Sequence, residues 1–174
     1  MNSDINFEVL ISEDEVRTRI RQMAEEISEK YQNEEVLLIG ILNGSVFFMT
    51  ELAQQMSIPL EMDFIAASSY VGTNSTGKVL ITKDLDRSVE GRHVIIVEDI
   101  VDTGQTLHLL KEMLQKRCPA SLEVVTLLDK PDRRKVDFKA DIIGFSIPDK
   151  FVIGWGMDYN QKYRELPYIG VINE

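Results

Sequence analysis

The segment Val94-Ile95-Ile96-Val97-Glu98-Asp99-Ile100-Val101-Asp102-Thr103-Gly104-Gln105-Thr106 brings three carboxylates next to a run of small, hydroxyl-bearing residues. Four apolar residues read as a buried strand that ends in Glu98 and Asp99, with Asp102 just beyond. Thr103 to Thr106 then opens a helix, whose first backbone N–H groups have no acceptor within it and attract an anion. Gly104 allows close approach and unusual dihedrals there. Capping a helix needs one carboxylate or two. Three at the end of an apolar strand repel one another and call for a counter-charge. A phosphate cradle beside carboxylates suits a ligand with a phosphate, ribose hydroxyls and a bound Mg²⁺, and it suits a cationic transition state. A ribose 5-phosphate carrying pyrophosphate meets all of these needs.

The surrounding pattern supplies elements to position that segment. Ser12 followed by Glu15 is a capping box, and Val16, Ile20, Met23, Ala24, Ile27 and Tyr31 recur at helical spacing. Val36 to Ile41 is a continuous apolar run, as in a strand buried on both faces. The loop Leu42-Asn43-Gly44-Ser45 leads into a helix over 46–56, with Phe48, Met49, Leu52, Ala53 and Met56 inward. A strand follows from Pro59 through Ala66. Ser68 to Gly77 reads as a polar loop, and Val79 to Ile81 as an edge segment beside it. After the helix over 106–116 come a strand at 122–128, closed by Asp129-Lys130-Pro131, and short strands at 142–145, 152–154 and 169–172. Strand and helix in alternation predict an α/β fold with a mostly parallel twisted sheet flanked by helices. Its ligand site lies at the carboxyl ends of the strands.

The chain has 174 residues, 44% of them apolar and 28% charged, with no repeat or linker, so residues 1–174 read as a single domain. A net charge of −10 argues against a nucleic-acid partner. No apolar run approaches a membrane span, so no membrane partner is expected. The N-terminus does not read as a signal peptide, and Cys118 has no second cysteine to pair with, which points to the cytoplasm.

Val94 to Thr106 resembles the phosphoribosyl-pyrophosphate motif of the type I phosphoribosyltransferases: two acidic residues, two aliphatic ones, Asp-Thr-Gly, then Thr. Along almost its whole length the chain resembles the hypoxanthine-guanine branch. The segments that carry this are Gly40 to Ser45, Ser69-Tyr70 with its loop, and Ile147-Pro148-Asp149-Lys150-Phe151-Val152-Ile153-Gly154 running to Asp158-Tyr159-Asn160. The resemblance implies the type I phosphoribosyltransferase fold, with a small hood formed by the terminal segments. It also implies purine salvage with Mg²⁺ as cofactor, phosphoribosyl pyrophosphate and a 6-oxopurine as substrates, and a homodimer or homotetramer, for which apolar positions near Phe47 and Phe48 could serve.

Residue by residue, the resemblance has Glu98 and Asp99 meet the ribose hydroxyls, directly or through Mg²⁺. Asp102 acts at purine N7 as general base or proton holder. Thr103, Gly104, Gln105 and Thr106 bind the 5-phosphate. Lys130 donates to the 6-oxo group, Phe151 and Ile100 stack on the two purine faces, and the Val152 backbone reads the base edge. Asp158 ligates a second Mg²⁺, and Arg164 binds pyrophosphate. Leu42, Asn43 and Gly44 form the pyrophosphate loop, whose first peptide is often cis in the family. Ser69 and Tyr70 belong to a mobile loop that excludes water. Asn43 departs from the family pattern, since many relatives carry a basic residue there; Arg134 and Arg164 are the cations that could compensate.

Rival readings are a transferase for xanthine, adenine or uracil, an RNA-binding regulator on the same fold, and another doubly wound nucleotide-binding domain. Lys130 and Phe151 favour a 6-oxopurine. The negative charge disfavours RNA. The absence of G-x-G-x-x-G and G-x-x-x-x-G-K-[ST] weakens the last.

Overall fold

The computed structural model describes residues 5–70 and 78–173. In chain order the elements are β1 (Phe7–Ile11), α1 (Glu13–Lys30), β2 (Val36–Ile41), α2 (Val46–Gln55), β3 (Leu60–Tyr70), β4 (Lys78–Lys83), β5 (His93–Val101), α3 (Gln105–Gln115), β6 (Ser121–Asp129), β7 (Ile142–Ser146), β8 (Val152–Ile153) and β9 (Ile169–Ile172). A six-stranded sheet runs β4-β3-β2-β5-β6-β7. Its members are parallel except for β4, which pairs antiparallel with β3 at one edge.

The continuous apolar runs are explained by two cores, one on each face. Val36 and Leu38 of β2, with Ile95 and Val97 of β5, pack toward α1 and α2. Leu37, Ile39 and Ile41, with Val94 and Ile96, pack with Leu107, Leu110 and Leu114 of α3. Alternate residues of a strand face opposite ways, so a strand covered on both sides has no polar position to spare. The Ser12 capping box is present: Ser12 N donates to Glu15 Oε2 at 2.9 Å, and Glu15 N donates to Ser12 Oγ at 3.4 Å.

A three-stranded antiparallel sheet, β1-β9-β8, joins the two terminal segments into the expected hood. Its link to the main sheet is tight. A Cβ on Gly156, where φ is +98°, would lie 1.7 Å from the Gly44 carbonyl oxygen.

Three readings need correction. β5 does not end at Glu98 and Asp99, because Glu98 and Ile100 pair with Thr126 and Leu128 of β6, which carries the strand on to Val101. Ser68 to Tyr70 belong to β3 and not to a loop, since they pair with Leu80, Val79 and Lys78; a ladder needs only backbone groups and tolerates polar side chains. Of the expected mobile loop, residues 71–77 lie outside the described residues. Phe48 is fully buried, so of the two helix phenylalanines only Phe47, 42% exposed, is open to a partner. No helix of the described residues is long and apolar enough to cross a membrane.

Gly156→Ala tests the hood contact. The backbone conformation alone should cost about 1–3 kcal/mol, and the clash adds to it. The urea midpoint should fall clearly; an unchanged midpoint would mean that the hood is not held at this point.

Candidate active site

The polar residues converge where the parallel strands end. A cleft of about 290 Å³ is lined by Leu42 and Gly44 after β2, by Glu98 to Thr103 at the end of β5, by Gly104, Thr106 and Leu107 at the start of α3, and by Arg164 from the hood. Gly104 has φ +78° and caps α3, with Arg134, Val136 and Phe138 against its Cα. A side chain there would strain the backbone and meet Arg134. The turn therefore delivers the first N–H groups of α3 to the cleft wall, while Gln105 N is within 3.4 Å of Thr103 Oγ1.

Asp99 lies against Gly44: a Cβ on that glycine would stand 1.9 Å from Asp99 Oδ2. The Leu42–Asn43 peptide is cis, as the resemblance implied, and Asn43 is exposed. Among the described residues neither Glu98 nor Asp99 has a cation within salt-bridge distance. Their hydrogen bonds come from their own strand, Asp99 N to Glu98 Oε1 at 3.0 Å and Ile100 N to Asp99 Oδ1 at 2.7 Å. Burial pushes the Glu98 carboxyl well above the usual carboxylate range, and the Asp99 charge pushes it further. Burial also raises Asp99, opposed by hydrogen bonds from its neighbours and by the charge of Arg164. Glu98 keeps a partly exposed edge toward the cleft, although protein encloses most of it.

A model of the phosphoribosyl transferase domain matches residues 12–162. The hypoxanthine-guanine phosphoribosyltransferase of Bacillus subtilis is 49% identical over 173 residues, covering 99% of this chain and 96% of that one. The hypoxanthine phosphoribosyltransferase of Salmonella typhimurium is 48% identical over 168 residues, covering 95% and 94%. The chain belongs to the hypoxanthine-guanine phosphoribosyltransferase family. In structure it is similar to the crystallised hypoxanthine phosphoribosyltransferase of Staphylococcus aureus, with a TM-score of 0.93 and 46% identity over 99% of this chain and 96% of that one.

Membership of this family makes a divalent cation the group to test against the cleft. Among the described residues no cluster of three or more His, Cys, Asp or Glu side chains could hold a metal. Mg²⁺ does not need such a cage. It is commonly held by one or two carboxylates together with substrate phosphates and water. Glu98 and Asp99 fit that donor set, being adjacent, buried and short of counter-charge. Asp158 is already engaged: Arg164 lies 3.0 Å from its Oδ1, and Gln161 N donates to its Oδ2 at 2.8 Å. Arg164 also donates to the Gly156 carbonyl at 2.6 Å, which fixes it at the hood edge of the cleft.

Other residues that the resemblance singled out stand outside this cleft. Lys130 is 7% exposed and its Nζ lies 4.0 Å from Asp149 Oδ1. Val152 is buried in the hood ladder opposite Val171. Phe151 is 54% exposed and meets the Tyr159 ring edge-on at 5.8 Å, beside a groove that includes Lys150 and Asn173. Ser69 and Tyr70 are placed at the end of β3 by their backbone pairing.

Sequence reasoning missed the work of Arg133 and Arg134. Arg134 forms an ion pair with the buried Asp129 and donates to the Asp102 carbonyl at 2.6 Å. It braces the loop from below rather than standing in for a cation at Asn43. Arg133 Nε donates to the Asp102 carboxylate at 2.9 Å. The available signal was a pair of arginines just past the end of a strand, Lys130-Pro131-Asp132-Arg133-Arg134.

The raised Glu98 carboxyl predicts a pH effect. A carboxyl whose folded pKa lies above its unfolded one favours folding in acid and loses that contribution as pH rises through the folded value. Glu98→Gln should therefore unfold at a higher temperature than the parent at pH 8, by about 2–4 °C for each 1 kcal/mol recovered. The two should converge near pH 4. A variant less stable than the parent at pH 8 would contradict the burial argument.

Proposed function

We propose that the protein transfers the 5-phosphoribosyl group from phosphoribosyl pyrophosphate to N9 of hypoxanthine or guanine, releasing pyrophosphate and giving IMP or GMP, as a cytoplasmic step of purine salvage. The observation that carries this is the single cleft in which the uncompensated Glu98–Asp99 pair, the α3 N-terminus and the Leu42–Gly44 loop meet. Family membership supports the choice of reaction.

The 5-phosphate rests on Thr103, Gly104, Gln105 and Thr106, where backbone N–H groups and hydroxyls converge on an anion. Glu98 and Asp99 face the ribose hydroxyls and stabilise the positive charge that builds on the sugar as the bond from C1 to pyrophosphate breaks. The leaving oxygen takes that electron pair, with Leu42, Asn43, Gly44 and Arg164 around the departing pyrophosphate. Glu98 and Asp99 would hold Mg²⁺ together with substrate oxygens, Asp158 would hold a second, and these cations would further neutralise the departing group. N9 of the purine forms the new bond to C1 while Asp102 takes or holds the proton at N7. Lys130 donates to the 6-oxo oxygen, which separates 6-oxopurines from adenine. Phe151 swings from its edge contact with Tyr159 to cover one face of the base, opposite Ile100, and the Val152 backbone meets the base edge. Ser69 and Tyr70, at the end of β3, help keep water from the reacting carbon.

One domain, residues 1–174, carries all of these parts. The exposed Phe47 supports assembly into a homodimer or homotetramer.

The test is incubation with phosphoribosyl pyrophosphate and Mg²⁺, offering hypoxanthine, guanine, xanthine and adenine separately. IMP or GMP should form and AMP should not; the absence of any nucleotide would sink the reading. Asp102→Asn should lower kcat by about 10²-fold or more, with the KM for phosphoribosyl pyrophosphate little changed. Lys130→Ala should raise the KM for the base much more than that for phosphoribosyl pyrophosphate. An equal rise in both would remove Lys130 from base recognition.

A further inference from the structure

Asp102 is held at both ends by one short stretch of chain. Arg133 Nε donates to its carboxylate Oδ1 at 2.9 Å, and Arg134 donates to its carbonyl at 2.6 Å. Lys130 N donates to the Val101 carbonyl at 2.9 Å, and Lys135 N donates to the Thr103 carbonyl at 3.0 Å. Residues 130–135 thus brace residues 101–103 at successive positions. Three of these contacts fix backbone. The contact from Arg133 alone reaches a side chain that lines the cleft.

Arg133 is itself anchored from the other side. Its Nη1 lies 3.5 Å from Asp149 Oδ2, and Lys130 Nζ lies 4.0 Å from the other oxygen of that carboxylate. The charges alternate along Asp102, Arg133, Asp149 and Lys130, and the path links the ends of β5, β6 and β7. The bond to Asp102 is single, Nε to Oδ1. Among the described residues Asp102 Oδ2 has no hydrogen-bond donor. A carboxylate on a loop is free to rotate, and one such bond both removes that freedom and leaves an oxygen available.

We propose that Arg133 is a positioning residue for Asp102, fixing its carboxylate in one orientation and reserving the second oxygen for the purine. The proposal rests on the reading of Asp102 as the group that meets N7. The pair contributes little to folding. Arg133 and Asp102 are 46% and 43% exposed, and ion pairs so open to water are weak. The contact strengthens once substrates cover the site and exclude water. A stability element would show the reverse, mattering most to the empty protein.

Steady-state kinetics on Arg133→Ala, Arg133→Lys, Asp102→Asn and the double variant test this. Arg133→Ala should lower kcat with hypoxanthine about tenfold, a part of the roughly 10²- to 10⁴-fold that a placed proton acceptor contributes. The KM for phosphoribosyl pyrophosphate and the thermal midpoint should stay at parental values, and Arg133→Lys should recover part of kcat. In the Asp102→Asn background, Arg133→Ala should cost nothing further, because a residue acting through another loses its effect when that partner is gone. An unchanged kcat in Arg133→Ala, with Asp102→Asn impaired, overturns the proposal alone. So does an equal loss in both backgrounds. Parental turnover in Asp102→Asn overturns the Asp102 reading and the proposal with it.

Discussion

The structure turns on two adjacent carboxylates set into the end of a buried strand, with no cation in salt-bridge distance among the described residues. Burial disfavours their ionised forms, and their proximity disfavours both being ionised together. A sheet optimised for stability would not place Glu98 and Asp99 there. Their cost is tolerated because the rest of the site supplies what they lack only when a ligand arrives. The start of α3 offers backbone N–H groups suited to an anion, and a bound cation would bring the positive charge that the carboxylates lack.

Rigid surroundings make that arrangement specific. β5 is central in the sheet, bonded to β2 and β6, and buried on both faces. Asp99 is therefore held away from water, and Glu98 meets it only at its edge toward the cleft. Gly44 and Gly156 bring the loop after β2 and the hood close enough to seat Arg164 over the same cleft. Arg134, neutralised by buried Asp129, fixes the loop between β5 and α3 by its carbonyl, so the loop is set before substrate binds. The hood residues Phe151 and Tyr159 are more exposed.

Much of this was legible in the sequence, and the limits have physical causes. The runs Val36–Ile41 and Val94–Val97 announce strands buried on both faces, and the Ser12–Glu15 box announces α1. The phosphate-and-carboxylate character of Val94–Thr106 follows from residue types alone. β1 was not legible: its partner β9 lies at the far end of the chain, and Phe7–Ile11 has no clean alternation. The extension of β5 through Glu98 was hidden because charged residues inside a strand ordinarily mark its end, and only the pairing with Thr126 and Leu128 keeps it going. The sequence offers Arg134 only as a cation that could compensate at Asn43 and gives Arg133 no role, since nothing in the local pattern tells that the turn after β6 folds back beneath the loop after β5.

Burial raises the Glu98 and Asp99 carboxyls in the empty protein, and the neighbouring charge raises Glu98 further, so binding of substrate together with a cation should favour loss of a proton from the pair. Calorimetric titration of phosphoribosyl pyrophosphate with Mg²⁺ at pH 6, in two buffers of different ionisation enthalpy, measures that proton directly. The parent should release more protons than Glu98→Gln, beyond whatever the substrate's own phosphates contribute. Equal proton release by the two proteins would contradict the claim.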